Sequence, residues 1–141
     1  METQELHRGR LIDHLQLVVD DLPAAKRFYG AIFEVLGVPM VSTDEFFYCD
    51  ELFVSTKDSK AAAGKTTGRC HLAFQARDQT MVEAAYTAAI AAGGKDNGKP
   101  GPRPYHPGYY AGFVIDPAGN NLEIVFHGPA KRSADSVKIT F

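Results

Sequence analysis

The sequence contains little cysteine: Cys49 and Cys70 are the only thiols in 141 residues. They form neither a CxxC motif nor the regular spacing of a disulfide framework, which excludes a disulfide-stabilised fold. Runs of basic residues are also missing, and 15 Lys and Arg against 17 Asp and Glu give a net charge of −2. Nucleic acid and membrane are therefore not expected as partners. We expect two reduced thiols in a cytoplasmic protein.

Long apolar segments are absent as well. No stretch approaches the roughly 20 residues that cross a bilayer, and the polar residues 1–10 lack the apolar region of a signal peptide. The composition that remains, 45% hydrophobic and 23% charged, excludes a disordered or collagen-like chain. We expect one domain over residues 1–141, with a core large enough to need no structural metal.

A repeat emerges when the sequence is shifted by 57 residues, because His14–Gly37 then aligns with His71–Gly94. Each segment begins with the period-2 alternation of a strand and continues with apolar residues at helical spacing. Asp21 and Gly37 are typical of the start and the end of the first helix. The apolar positions are Leu15, Leu17, Val19, Ala25, Phe28, Tyr29, Ile32 and Leu36, then Leu72, Phe74, Ala76, Val82, Ala85, Tyr86 and Ala89.

Short strand candidates follow each predicted helix. They are Val38–Val41, Glu45–Cys49 and Leu52–Ser55 in the first half, and Lys95–Asn97, Ala111–Ile115 and Leu122–Phe126 in the second. The segment Lys99–Tyr109 holds four prolines and is predicted to be a loop, and Val137–Phe141 is a possible edge strand. The order predicts two tandem βαβββ modules.

The predicted domain has four parts. Module one covers about residues 10–57, a polar linker covers about 58–68, module two covers about 69–128, and a tail covers 129–141.

Three potential metal ligands share one type of face. His14 and His71 begin the two opening strands, and Glu123 alternates with apolar residues in the last strand. Each residue alone is common on protein surfaces. Together, at repeat-related positions opposite the helices, two imidazoles and a carboxylate predict an open site for a divalent metal. Their side chains are near their metal-binding protonation states at pH 7.

The residues that carry this pattern resemble the vicinal oxygen chelate superfamily, which includes glyoxalase I, bleomycin-resistance proteins, fosfomycin-resistance transferases and extradiol dioxygenases. The quoted elements are HLQL at 14–17, HLAF at 71–74 and DPAGNNLE at 116–123, and the resemblance covers about residues 10–128. It implies an α+β fold whose two modules pair side by side, so that their sheets form an incomplete curved barrel around a metal site. It also implies a homodimer, in some members with exchanged modules.

By this resemblance, His14, His71 and Glu123 are the metal ligands. Glyoxalase I has a fourth ligand, a glutamate, at the position of Phe53, and Glu51 is two residues away in a predicted turn. The lack of a glutamate at this position disfavours a strict glyoxalase I. The three remaining ligands resemble those of the dioxygenases and fosfomycin transferases. The fosfomycin branch is disfavoured in turn, because no cluster of Lys, Arg and Ser matches a phosphonate site.

The extradiol pattern places a tyrosine where this chain has Phe113, and a histidine upstream where it has His106. The match is therefore partial. The resemblance implies catalytic roles for Glu123 and for His106 as an acid/base. Side chains expected to contact a flat or apolar substrate are Phe53, Tyr105, Tyr109 and Phe113. We assign no role to His127 or His7.

The favoured function is a metal-dependent enzyme of glyoxalase or dioxygenase type. It is a lyase, an isomerase or an extradiol-type dioxygenase, with Fe, Zn, Mn or Ni as the divalent ion, and its small substrate offers two adjacent oxygens. The first alternative is a non-catalytic binding protein of the bleomycin-resistance kind. The second is a metal-binding protein without catalysis, such as a sensor.

Overall fold

A computed structural model describes residues 5–141. Over this range the chain forms an α+β fold with two helices and three small sheets. In chain order the elements are β1 (Glu5–Arg8), β2 (Leu15–Val19), α1 (Leu22–Leu36), β3 (Val41–Ser42), β4 (Phe46–Cys49), β5 (Leu52–Thr56), β6 (His71–Gln75), α2 (Gln79–Ala91), β7 (Lys95–Pro102), β8 (Tyr110–Ile115), β9 (Asn121–Phe126) and β10 (Val137–Thr140).

Two βαβββ modules make up most of the chain, as the repeat predicts. Module one consists of β2, α1, β3, β4 and β5, and its sheet has the order β2-β5-β4-β3. Module two consists of β6, α2, β7, β8 and β9, and its sheet has the equivalent order β6-β9-β8-β7. In each sheet the first strand pairs in parallel with the last, and the remaining pairs are antiparallel. Both sheets are open.

The register of the parallel strands relates the modules residue by residue. Gln16 pairs with Phe53 in module one, and Ala73 pairs with Glu123 in module two. Since Gln16 and Ala73 are related by the 57-residue repeat, Phe53 occupies the position that Glu123 holds in the other module. The sequence alignment predicts this correspondence.

Matching caps begin the two helices. The Asp21 side chain accepts a hydrogen bond from the backbone N–H of Ala24 at 3.0 Å, and Asp78 accepts one from Met81 at 2.7 Å. Each carboxylate satisfies an amide that the first helical turn leaves without a partner. Gly37, with φ of 73°, ends α1 in the left-handed conformation that glycine tolerates.

The modules share one apolar core. The two helices pack against each other, and Phe74 of β6 contacts Tyr29 and Phe33 of α1, with ring centroids 6.2 and 5.5 Å apart. Phe74 therefore joins the first strand of module two to the helix of module one. Neither helix of residues 5–141 has the length and apolarity needed to cross a bilayer.

A buried polar network also crosses between the modules. Asp116, in the turn between β8 and β9, accepts a hydrogen bond from the Tyr29 hydroxyl of α1 at 2.5 Å. The same carboxylate accepts from the side chain and the backbone N–H of Asn120. Asn120 in turn donates to the Thr67 carbonyl and accepts from the Cys70 N–H. The turn predicted at 116–120 is therefore tied to the linker and to the start of β6.

The prediction of a loop over Lys99–Tyr109 is wrong at its beginning, because β7 continues to Pro102. Two prolines are tolerated there since β7 is an edge strand, on which one row of N–H groups has no partner to lose. Register shifts at 96–98 and at 98–101 mark bulges in the pairing with β8. The strand candidate near Val38–Val41 is reduced to the two residues of β3.

The ends of the described chain pair with each other. The predicted tail strand is present as β10, and its antiparallel partner is β1. The polar segment before residue 10 does not predict β1, which has no apolar alternation. The His7 ring contacts Ser136 of the tail at 2.7 Å and Glu5 at 2.8 Å.

Candidate metal centre

Two of the three predicted ligands lie side by side in module two. His71 begins β6, Glu123 is in the middle of β9, and these strands are neighbours in the sheet. The His71 Nε2 atom is 3.1 Å from Oε1 of Glu123. The imidazole is 52% exposed, whereas the carboxylate side chain is only 4% exposed. A buried carboxylate therefore faces a ring that remains open to solvent.

The contact made by the Nδ1 atom of His71 shows which ring nitrogen is free to bind a metal. Nδ1 lies 3.0 Å from the backbone carbonyl of Asn121, and a carbonyl only accepts hydrogen bonds, so Nδ1 carries the proton. In the neutral ring, Nε2 then presents a lone pair to Glu123. Two acceptors facing each other need a cation or a further proton between them. A histidine that is oriented by a carbonyl and lies next to a carboxylate is a pair of ligands that fits a divalent metal.

The other oxygen of Glu123 has a partner that the sequence did not indicate. The Tyr109 hydroxyl donates to Oε2. Desolvation, followed by this hydrogen bond to the carboxylate, raises the pKa of Tyr109 to about 12. Tyr109 therefore keeps its proton near neutral pH. It supplies a phenol beside the glutamate, although the tyrosine position of the extradiol pattern is occupied by Phe113.

His14 lies outside this pair. Its ring is 60% exposed, hydrogen bonds to Asp13 at 2.7 Å and approaches Phe53 with ring centroids 5.7 Å apart. Within residues 5–141, no group of three or more His, Cys, Asp or Glu side chains has metal-binding spacing. His14 packs against Phe53, so it lies on the face of module one that is equivalent to the His71–Glu123 face of module two. The three-ligand site stays a prediction.

Phe53 fills the ligand position of module one with an aromatic ring. It stacks on Tyr48 of β4 at 4.8 Å, and Tyr48 is its antiparallel partner. Glu51 lies in the tight turn before β5, where burial raises the pKa of its carboxyl. Module one therefore presents no carboxylate at the place equivalent to Glu123.

His106 belongs to a separate aromatic cluster beside Tyr109. Its Nε2 atom is 2.9 Å from Nδ1 of His127, and the two rings stack at 5.1 Å. The His106 ring meets the Tyr109 ring edge-on, also at 5.1 Å. His106 is thus one ring removed from Glu123, and His127 is its partner. The alternation of residues along a strand does not reveal a contact between a loop and the end of a strand. The sequence alone therefore gave no reason to assign a role to His127.

The loop after β7 borders a cleft of about 460 Å³. Of the four predicted substrate contacts, only Tyr109 lines it, together with His106, Pro102 at the end of β7 and the loop prolines Pro104 and Pro107. Tyr105 is 68% exposed and packs edge-on against Tyr109 at 5.0 Å. Phe113 pairs with Glu123 across β8 and β9 and stacks on His71 at 6.2 Å. Tyr109 is therefore common to the cleft and to the His71–Glu123 pair.

Comparison with known proteins identifies the family. Residues 11–124 match the family model described as Glyoxalase/Bleomycin resistance protein/Dioxygenase superfamily, a range that includes module one, module two as far as Ile124 of β9, and neither β1 nor β10. No curated protein sequence is significantly similar to the chain.

Solved structures agree on the fold. A glyoxalase-related enzyme from Fulvimarina pelagi has a TM-score of 0.68 and 26% identity, over 92% of this chain and 97% of that one. A glyoxalase/bleomycin resistance protein from Albidiferax ferrireducens T118 has a TM-score of 0.64 and 24% identity, over 82% and 97%. TioX from Micromonospora sp. ML1 has a TM-score of 0.60 and 17% identity, over 82% and 98%.

Proposed function

Because the chain belongs to the Glyoxalase/Bleomycin resistance protein/Dioxygenase superfamily, we propose that it is a metal-dependent enzyme of glyoxalase or dioxygenase type. Its substrate is a small molecule with two adjacent oxygens. The observation that carries this proposal is the pair of His71 and Glu123. With Nδ1 of His71 committed to a carbonyl, Nε2 and the glutamate oxygen face each other as two acceptors at 3.1 Å.

The proposed ligands are His71, Glu123 and His14, with Fe, Zn, Mn or Ni as the ion. His14 would come from module one of the same chain or of a second copy, since the resemblance implies a homodimer. When bound, a divalent ion acts as a Lewis acid that stabilises negative charge on a chelated oxygen. The exposed imidazole edge leaves room for substrate on the same face.

The surrounding residues have complementary tasks. Tyr109 holds a proton next to the buried carboxylate of Glu123, Phe113 provides a flat surface beside His71, and His106 is proposed to exchange a proton with the substrate. The prolines of the loop after β7 limit its movement. Cys49 and Cys70 are both free thiols, which fits the proposed cytoplasmic location.

A second candidate function is a binding protein without turnover. The observation that favours it is the aromatic pair of Phe53 and Tyr48, stacked at 4.8 Å where module two has the pair of Glu123 and Phe113. A face lined by stacked rings binds flat apolar molecules without chemistry. Under this alternative, His71 and Glu123 form only an ion pair.

The test is metal binding by wild type, Glu123→Gln, His14→Ala and Glu51→Gln, measured by elemental analysis and by titration of the metal-free protein with Mn²⁺ and Zn²⁺. Partners around the ligands are worth about 10- to 100-fold in affinity, so loss of the Glu123 charge is expected to cost more than about 100-fold. His14→Ala is expected to weaken binding, and Glu51→Gln, the control in the turn, to leave it unchanged.

Equal metal affinity in wild type and Glu123→Gln would contradict the proposal. The metal-loaded wild type is then assayed with catechols and with methylglyoxal–thiol adducts. Product from one of these classes is the expected result. Tight ligand binding with no product would favour the binding protein.

A further inference from the structure

Arg103 lies on the same face as the proposed metal centre. Its guanidinium carbon is 5.3 Å from the centre of the Phe113 ring, and that ring stacks on His71 at 6.2 Å. A cation, a phenyl ring and an imidazole therefore follow one another across the sheet of module two. Phe113 is the cross-strand partner of Glu123, so this row runs past the buried carboxylate.

The position of the guanidinium is built into the bulged part of β7. Nη2 donates to the Lys99 carbonyl at 2.7 Å, and Nη1 donates to the Pro102 carbonyl at 3.1 Å. Glycines below the group make room for it: a Cβ at Gly98 or Gly101 would stand 3.3 or 3.2 Å from these nitrogens. Gly98 also has a φ of 145°, which other residues rarely adopt.

The charge of Arg103 has no carboxylate partner in residues 5–141. Among these residues the ion pairs of arginine are limited to the contact of Arg8 with Asp13. A guanidinium has five N–H donors, and the two carbonyl contacts occupy only part of them. A partly buried cation held in place with free donors is prepared for an oxyanion.

We propose that Arg103 binds a carboxylate of the substrate whose adjacent oxygens are held at His71 and Glu123. This inference rests on the proposed function and names the substrate class. A single planar guanidinium matches the one charge and the two oxygens of a carboxylate, whereas a phosphonate carries a second charge. Because the aromatic ring of Phe113 lies between the two binding groups, the proposed substrate has a flat body.

The substrate class is therefore a flat acid, with a chelating oxygen pair at one end and a carboxylate at the other. Catechol, 3,4-dihydroxybenzoate and 3,4-dihydroxyphenylacetate are suitable probes because they share the diol and differ in the acid. Their dissociation constants are measured with the metal-loaded wild type, Arg103→Gln, Arg103→Lys and Arg27→Gln. Arg27, on the exposed side of α1, is the matched control.

We expect at least one acid to bind wild type about tenfold or more tightly than catechol, as hydrogen bonds to a charged group suggest. Arg103→Gln is expected to abolish this preference and to leave catechol binding within about twofold. Arg103→Lys should retain part of the preference, because it keeps the charge and loses the planar fork. Arg27→Gln should retain all of it.

Equal binding of catechol and both acids by wild type would overturn the role of Arg103 alone. The same holds if Arg103→Gln weakens catechol and the acids by the same factor, which would indicate a structural role. Failure of all three probes to bind the metal-loaded protein would overturn the proposed chelation and this inference together. Circular dichroism of each variant verifies that the protein is folded.

Discussion

In module one, Gln16 pairs with Phe53, whereas at the same place in module two Ala73 pairs with Glu123. The two sheets have the same strand order, the same parallel pair and equivalent helix caps. The sheet faces that point away from the helices nevertheless carry different side chains. Module one presents the His14 ring beside Phe53, stacked aromatic rings and a neutral hydrogen bond from Gln16 to Ser55. Module two presents an imidazole, a buried carboxylate, a phenol and a guanidinium.

The second difference is the connection between the second and third strands of each module. In module one, only residues 43–45 join β3 to β4, which is too short a segment to fold back over the sheet. In module two, the longer β7 and the loop after it bring Arg103 and Tyr109 towards Glu123. The core-facing side of a strand is constrained by packing, while the other side and the loops are free to vary. The repeated scaffold therefore tolerates a chemically specialised second half.

The largest expected difference between the modules concerns stability. Tyr29 and Tyr86 are repeat-related, but the Tyr29 hydroxyl is buried on Asp116 of the other module, whereas Tyr86 contacts Asp96 at the surface. Tyr29→Phe removes a donor from a buried carboxylate and is expected to lower the free energy of unfolding by about 1–3 kcal/mol. Urea titration measures this change.

Tyr86→Phe is the matched control, and its expected change is a small fraction of that value, because solvent replaces the lost hydrogen bond. An equal decrease in the free energy of unfolding in both variants would show that the Tyr29–Asp116 contact between the modules stabilises the protein no more than the surface contact of Tyr86.

A smaller effect is expected for Tyr109→Phe. The variant removes the hydrogen bond to Oε2 of Glu123 and should weaken metal binding about tenfold, the lower end for a partner of a ligand. Since desolvation and this hydrogen bond raise the pKa of Tyr109 to about 12, its phenol should not contribute a pH dependence near neutrality. Metal titrations at several pH values measure both quantities.

Tyr110→Phe serves as the control for Tyr109→Phe, because the Tyr110 hydroxyl donates to Glu83 of α2 on the opposite side of the sheet. Unchanged affinity in Tyr109→Phe, or the same loss in both variants, would contradict a specific role for the phenol.

The smallest effect is expected for a substitution that makes the two modules more alike. Phe53→Glu places a carboxylate beside His14, as Glu123 stands beside His71, and is expected to raise metal affinity by no more than about tenfold through the added ligand charge. Phe53→Gln disturbs the same stacking without adding charge. If both variants bind metal equally, the two faces are not interchangeable at this position.

Much of the fold could be predicted because it depends on patterns that a sequence carries. The 57-residue shift, the alternation around Leu17 and Leu122 and the turn at 116–120 identify both modules. The same patterns predict that His71 and Glu123 share a face, because parity along paired strands determines neighbours. The extension of β7 through Pro100 and Pro102 could not be predicted. Proline argues reliably against a central strand, but it is tolerated in an edge strand such as β7.

The same reasoning could not predict which loop residues contact the site. Tyr109 reaches Glu123 and Arg103 covers Phe113 because β7 bulges at Gly98 and the chain then turns back. No periodicity relates a residue in such a loop to a strand. The sequence identified Tyr109 as a substrate contact and did not indicate its hydrogen bond to the carboxylate, and it gave Arg103 no role.

The pairing of β1 with β10 has a consequence for the order of folding. His7 and Ser136 are 129 positions apart in the chain, so this ribbon closes the longest loop in the described molecule, and closure entropy increases with loop length. Its strands bury few side chains in return. The ribbon is therefore expected to form after both modules and to open before them, as a local unfolding unit that leaves the rest of the protein intact.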